Sequence, residues 1–263
     1  MFITGFSISG ITRLYQMYIR KGGPLVRVIV FHDVIRAEWF LELLTHLKNT
    51  YHVLTPLEFG AKKFHTTKIN VLVTFDDGYE SWVSKCLPWL TRLDIKALFF
   101  INSELVDLYE DEESRTAYVQ KNLLLETTKK TISWDGIREI YQRGHTIGGH
   151  TKTHRRLSEL QGEEQYREIS EDKKDIELKL NTELSFFAYP FGNKGDFTLE
   201  AKTWAERAGY KFIFSTEAGF MQLNSSLSIP RICIEDGCTK ETLTLWIEGG
   251  YDIYSKLKQL CVR

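Results

Sequence analysis

The chain has 263 residues, 43% of them hydrophobic and 26% charged, with a formal net charge of -1. This is the composition of a folded protein with a full core, one large α/β domain or two small ones in length, and the charge argues against a general binder of nucleic-acid backbones. Cys86, Cys233, Cys238 and Cys261 make no CxxC pair and no dense framework, so they read as reduced thiols.

Residues 1–23 are mildly apolar, but Gly, Ser and Thr interrupt them and the positive charges come late, at Arg13, Arg20 and Lys21. No run reaches the roughly 18 to 20 apolar residues of a membrane span, and the order of charge and apolarity is not that of a secretion signal. The segment reads as an amphipathic lead-in helix ending at Gly22-Gly23-Pro24, and the protein as cytoplasmic. Weak contact of residues 1–23 with a membrane surface is the alternative. The chain divides into this lead-in, 1–25, and a single domain, 26–263.

Residues 26–31 form a compact apolar run ending at His32-Asp33, the first strand. Phe40, Leu43, Leu44 and Leu47 give 37–49 one apolar helical face. Pro56 keeps 53–59 short. Residues 71–75 are a β-branched strand that stops at Asp76-Asp77-Gly78, and a helix over 80–93 follows, kinked at Pro88. After a strand at 97–101, residues 104–130 are long and highly charged: either a solvated surface insertion or a flap near a cleft. Ser133 caps a helix over 134–143, which Gly144 ends. A strand at 145–149 runs into His150. There follow a charged helix (158–180), a strand (185–189) ending at Pro190-Phe191-Gly192, a helix (197–208), strands at 210–215 and 229–234, and a closing helix (240–260). Alternation of this kind favours a parallel sheet, open or closed into a barrel, and no glycine-rich dinucleotide fingerprint follows any strand.

Two adjacent carboxylates at a strand end repel each other and are costly to desolvate unless a positive group holds them. His150-Thr151-Lys152-Thr153-His154 has HxxxH spacing, which on a helical turn aims both imidazoles at one point. It lies just past a strand end and after Gly148-Gly149, which let the backbone turn closely. An acid from Asp76-Asp77 would complete a His, His, carboxylate set with a fourth position open, suited to zinc. His32 and Pro190-Phe191-Gly192 also follow strands, and in a parallel barrel all such ends open on one face. His32 is otherwise a hydrogen-bonded core histidine.

Thr74-Phe75-Asp76-Asp77-Gly78 and His150-Thr151-Lys152-Thr153-His154 resemble the first two motifs of polysaccharide deacetylases, the NodB-homology or carbohydrate esterase family 4 group. Phe187-Ala188-Tyr189-Pro190-Phe191-Gly192 resembles the third, and the similarity runs over about 26–231. The resemblance implies a distorted (β/α)7 barrel and metal-dependent removal of N-acetyl groups from an amino-sugar saccharide or glycan. By position it implies Asp77, His150 and His154 as ligands of a divalent metal (Zn2+, or Co2+, Ni2+ or Fe2+), Asp76 as general base and the Phe191 N–H at the oxyanion. No histidine follows His154, where most members carry a catalytic acid. Val28-Ile29-Val30-Phe31-His32-Asp33 resembles instead the early motif of the poly-N-acetylglucosamine deacetylase subgroup, which implies His32 as the acid. Ala188 stands where the third motif often has an arginine, and Arg231 is a candidate to orient Asp76 in its place. Trp134, Tyr189 and Phe191 are candidates for an acetyl or sugar pocket, or are core aromatics. A non-catalytic carbohydrate-binding module on the same fold and a metal-free glycosidase are the competing readings.

Overall fold

The computed structural model describes residues 8–20, 23–126, 129–223 and 228–261. The remainder of the lead-in segment (1–7 and 21–22), part of the insertion (127–128) and the Cys261 side chain lie outside the described residues.

The lead-in segment contributes helix α1 (Ile8–Arg20), and β1 (Val26–Phe31) follows. Then come α2 (Ala37–Thr50), the short β2 (His52–Leu54), α3 (Pro56–Gly60) and β3 (Asn70–Phe75). Thr55 and Glu58 form a reciprocal capping box, with Pro56 in the first turn, so the 53–59 segment is a strand and a one-turn helix. A π-helical turn (Trp82–Cys86) leads into α4 (Leu87–Arg92), with Pro88 in its first turn, where no backbone N–H is needed. β4 (Leu98–Ile101), α5 (Ser103–Asp107) and α6 (Glu112–Asn122) follow. After the insertion come α7 (Trp134–Gln142), capped by Ser133, β5 (Thr146–Gly149), α8 (Glu163–Leu180) and β6 (Phe186–Ala188). The chain closes with α9 (Leu199–Arg207), β7 (Phe212–Phe214), β8 (Arg231–Cys233), α10 (Lys240–Ile247) and α11 (Gly250–Cys261). The expected closing helix is therefore two helices. Gly249, at φ 102°, makes the break with a conformation that a side chain would strain.

The strands are all parallel, in the order β7-β6-β5-β4-β3-β1-β8, with β2 against the first half of β3 and β4 against its second half. A single parallel bridge, Phe214 to Ile229, joins β7 to the approach of β8, so the barrel is nearly closed. The distorted (β/α) barrel expected from the resemblance is thus the observed architecture.

Residues alternate between the two buried faces of each strand. Val26, Val28, Leu72, Leu98, Phe100, Phe186, Ala188 and Phe214 fill the barrel interior. Ile29, Phe31, Val71, Val73, Phe75, Phe99 and Phe187 pack outward with the helices in the larger core. This alternation decides the site. Continued one step past Leu72 and Thr74, it turns Asp76 inward at the barrel mouth, and the same rule turns Arg231 inward from β8.

Candidate active site

Asp76 and Asp77 follow the last residue of β3, and both are buried. Arg231, wholly buried, reaches across the barrel and grips Asp76 in a two-pronged ion pair, with Nη1 to Oδ1 at 2.6 Å and Nη2 to Oδ2 at 2.7 Å. A planar guanidinium fits a carboxylate in this geometry and fixes its orientation. Burial by itself would raise the Asp76 pKa. Arg231, with His150 and His32, outweighs it and holds the carboxyl below its ordinary value. Arg231 thus stands under Asp76 rather than in the pocket wall, between the Phe100 and Phe214 rings at 5.2 and 5.9 Å.

Asp77 takes a φ of 85°, and its turn separates the two carboxylates. Its Oδ2 accepts from the Tyr79 hydroxyl at 3.0 Å, while its Oδ1 is buried without a hydrogen-bond partner. That orphan oxygen lies 3.5 Å from Nε2 of His150 and 3.3 Å from Nε2 of His154. Burial again acts to raise the carboxyl pKa, but the two imidazoles bring it well below the usual range. Burial, and then Asp77, raise the Tyr79 pKa, so the phenol remains a donor.

Backbone carbonyls fix both imidazoles. His150 Nδ1 meets the Ala188 carbonyl at 2.8 Å, and His154 Nδ1 meets the Asn122 carbonyl at 3.0 Å. A carbonyl can only accept, so each Nδ1 carries a proton, and Nε2 is the nitrogen that each ring turns toward Asp77. One ligand atom from each of Asp77, His150 and His154 falls within 4.8 Å of the others. Two imidazoles and a carboxylate around an unsatisfied oxygen are a donor set that fits a divalent cation.

The route to this convergence differs from the expected helical turn. Residues 150–154 are an irregular loop, with Thr151 at φ 64° and His154 at φ 54°. Those left-handed residues bend the chain, and Gly148 and Gly149 lie in β5 with other work. A Cβ on Gly148 would come within 2.7 Å of the Phe100 ring, and one on Gly149 within 2.1 Å of the Tyr210 hydroxyl.

A cavity of about 500 Å³ opens over these residues, lined among others by His32, Asp76, Asp77, His150, His154 and Phe191. It lies within the size range of saccharide-scale ligand sites. His32 enters from the end of β1, its carbonyl held by the Trp82 indole N–H at 3.0 Å. Phe191, at φ 60°, sets its ring 4.8 Å from that of His154.

Two of the expected pocket aromatics lie elsewhere. Tyr189 is buried, its ring stacked on Phe197 at 4.0 Å. Trp134 donates from its indole to Asp107 at 2.7 Å, at the start of α7. Both are packing residues, because β6 and α7 turn these positions away from the barrel mouth.

The sequence profile of the polysaccharide deacetylase family matches residues 63–213. The chain belongs to this family. The match takes in both the paired aspartates and the paired histidines, and it leaves His32 and Arg231 outside. Over 216 residues the chain is 26% identical to "Putative polysaccharide deacetylase YxkH" of Bacillus subtilis (strain 168), covering 79% of this chain and 69% of that protein. Among solved structures, the deacetylase PplD of Streptococcus pyogenes superposes with a TM-score of 0.70 at 21% identity, over 86% of this chain and 99% of that one. IcaB from Ammonifex degensii gives 0.69 at 22%, over 86% and 98%. At these identities the likeness is one of fold.

Around this candidate site the structure of this polysaccharide deacetylase family member adds residues that sequence reasoning passed over. Asp172 on α8 accepts from the backbone N–H groups of His150 at 3.0 Å and Ser103 at 2.9 Å, which ties the ends of β4 and β5 together. Its signal was present: it falls on the buried stripe of Ile169, Ile176 and Leu180 in an otherwise charged helix. Burial raises its pKa to about 7 against those backbone hydrogen bonds. The charged insertion folds over a small core of its own, Leu105, Tyr118, Val119 and Leu123. Leu123, Leu125 and Lys129 from it line the cavity, and Lys129 pairs with Asp33 at 2.9 Å beside the mouth.

Proposed function

We propose that the chain is a metal-dependent hydrolase that removes N-acetyl groups from an amino-sugar glycan. The observation that carries this reading is the buried, unpartnered Asp77 Oδ1 facing Nε2 of two histidines whose Nδ1 atoms are held by backbone carbonyls.

Asp77, His150 and His154 would hold the cation, and zinc matches their chemistry, with cobalt, nickel or iron as substitutes. When bound, the cation supplies Lewis-acid polarisation of an amide carbonyl and lowers the pKa of water from 15.7 toward about 7. The rest of the work belongs to side chains. Asp76 takes the proton of the attacking water. Arg231 aims that carboxylate and keeps it ionised, while each oxygen retains a further lone pair for the incoming proton. The Phe191 N–H would donate to the oxygen on which charge develops; loss of one such donor typically costs about 3 to 4 kcal/mol. His32, which lines the same cavity, gives a proton to the departing amine, because an amide anion does not leave unprotonated.

The family supports an acetylated saccharide as substrate, and the subgroup resemblance of the His32 motif supports an N-acetylglucosamine-type polymer. The test combines metal analysis of the purified protein with acetate release from a panel of N-acetylated oligosaccharides. Acetate is expected from at least one amino-sugar substrate, abolished by a strong chelator and restored by zinc or cobalt. Full activity in the chelator would defeat the metal role. Glycan binding without acetate, or new reducing ends in place of free amines, would defeat the reaction.

A further inference from the structure

The barrel end opposite the catalytic cavity carries a surface that the reaction does not use. Helix α1 turns Thr12, Tyr15, Gln16 and Ile19 toward the protein, positions three and four apart that share a face. Gln16 donates to the Glu248 carbonyl at 2.9 Å, and the Tyr15 hydroxyl donates to Asp252 at 3.2 Å. The other face presents Ile11, Leu14, Met17 and Tyr18, exposed by 39, 55, 66 and 72%. At 3.6 residues per turn these four fill a sector of about 120°, with Arg13 and Arg20 along one edge.

The surroundings are basic. Arg20 donates to the carbonyls of Thr66 at 3.1 Å and Thr67 at 2.7 Å, which brings α1 against the 61–68 loop. That loop exposes Lys62, Lys63 and Lys68 and contains no acidic residue. It runs into Asn70, the first residue of β3, and α1 runs into β1, so the whole surface belongs to the N-terminal end of the strands. Acidic groups stand at its margins, Glu241 and Glu248 in a pocket with Thr12 and Glu206 and Glu217 in one with Lys62, while Asp33, Glu235 and Asp236 line the catalytic cavity at the other end.

We propose that this face docks the protein on an anionic lipid bilayer. Leu14, Met17 and Tyr18 enter the headgroup boundary, and Arg13, Arg20 and the loop lysines lie over lipid phosphates. An amphipathic helix with an apolar stripe and basic flanks binds at an interface in this way. No helix among the described residues is long and apolar enough to cross a membrane, and the contact proposed is a peripheral one. A second copy of the chain is the poorer occupant, because two such faces brought together oppose their arginines and lysines. Docked in this way, the catalytic mouth points away from the lipid.

The test is co-sedimentation of the full chain with vesicles of phosphatidylglycerol and phosphatidylcholine, against vesicles of phosphatidylcholine alone. Binding is expected to the anionic vesicles, weakened by salt, since surface charge is screened over about 8 Å at physiological ionic strength. The double substitution Leu14→Gln and Met17→Gln should cut partitioning at least about tenfold with an unchanged melting temperature. Lys62→Glu with Lys63→Glu should weaken it through charge alone. Equal binding to both vesicle types, or none to either, overturns the proposal. So does a concentration-dependent dimer that the Leu14 and Met17 substitutions dissolve, which would make a second copy the occupant of the stripe.

Discussion

Replacing Arg231 with glutamine tests the assignment of the Asp76 base most sharply. The side chains of the pair are 0% and 3% exposed and joined through both carboxylate oxygens. Removing one partner of such a pair strands the other charge in the interior, at a cost of about 3 to 5 kcal/mol. The sign of its pH dependence follows from the directions of the shifts. In the wild type, Asp76 lies below its ordinary value, so it contributes stability above the unfolded pKa, about 3.9, and that contribution is lost only as pH falls through the lower folded value. In Arg231→Gln, burial acts without the guanidinium and the folded pKa moves upward. The variant's penalty is then largest at neutral pH and shrinks as Asp76 takes up a proton, by about 1.4 kcal/mol for each pH unit below the variant's raised folded pKa, down to the unfolded value. Urea unfolding of chelator-treated protein at several pH values between about 5 and 7.5 measures this without a contribution from bound metal. The acid limb of deacetylation should move upward in parallel, and adding Asp76→Asn should recover part of the lost stability. A penalty under about 1 kcal/mol, or one that does not vary with pH, would refute the reasoning.

Asp77→Asn and His150→Ala should each lose stoichiometric metal in elemental analysis, whereas Asp76→Asn should retain it and lose turnover. His32→Gln should lower kcat by about 10² to 10⁴ with metal content unchanged, as removal of a general acid does; a change in KM alone would remove His32 from the chemistry. Gly149→Ala should destabilise the fold by about 1 to 3 kcal/mol in thermal or urea melts, because its methyl group would lie within 2.1 Å of the buried Tyr210 hydroxyl. His145 is held neutral, its pKa pushed down to about 4 by burial and then by Lys96 and Arg143, while its Nδ1 accepts from the Ala97 N–H at 3.1 Å. The unfolded chain therefore binds one more proton than the folded one between about pH 6.5 and 4. Stability should fall by roughly 3 kcal/mol on acidification through that window, and His145→Gln should flatten the slope.

The location of the chemistry was legible along the chain. Each functional segment is an apolar run that ends abruptly in a polar residue: Phe31 before His32, Phe75 before Asp76 and Asp77, Gly149 before His150. Buried parallel strands require such runs, and strand ends are where the chain can afford charge, so sequence alone dictated the strands, their alternation with helices and the collection of these residues at one mouth. The charged 104–130 stretch was ambiguous, because its small core and its contact with the cavity depend on what it folds against.

Tertiary structure alone decided which of those residues meet. Arg231 reaches Asp76 across 155 positions because β8 lies beside β1 and the pleat turns both side chains inward. No local pattern carries that register. The same holds for Asn122, whose carbonyl fixes the His154 tautomer from the insertion, and for Trp134 and Tyr189, which composition cannot sort between pocket and core. Periodicity specifies which face of an element is buried. The partner on that face is set by packing among distant segments, and in this barrel it is that packing which makes one aspartate a candidate ligand and its neighbour a candidate base.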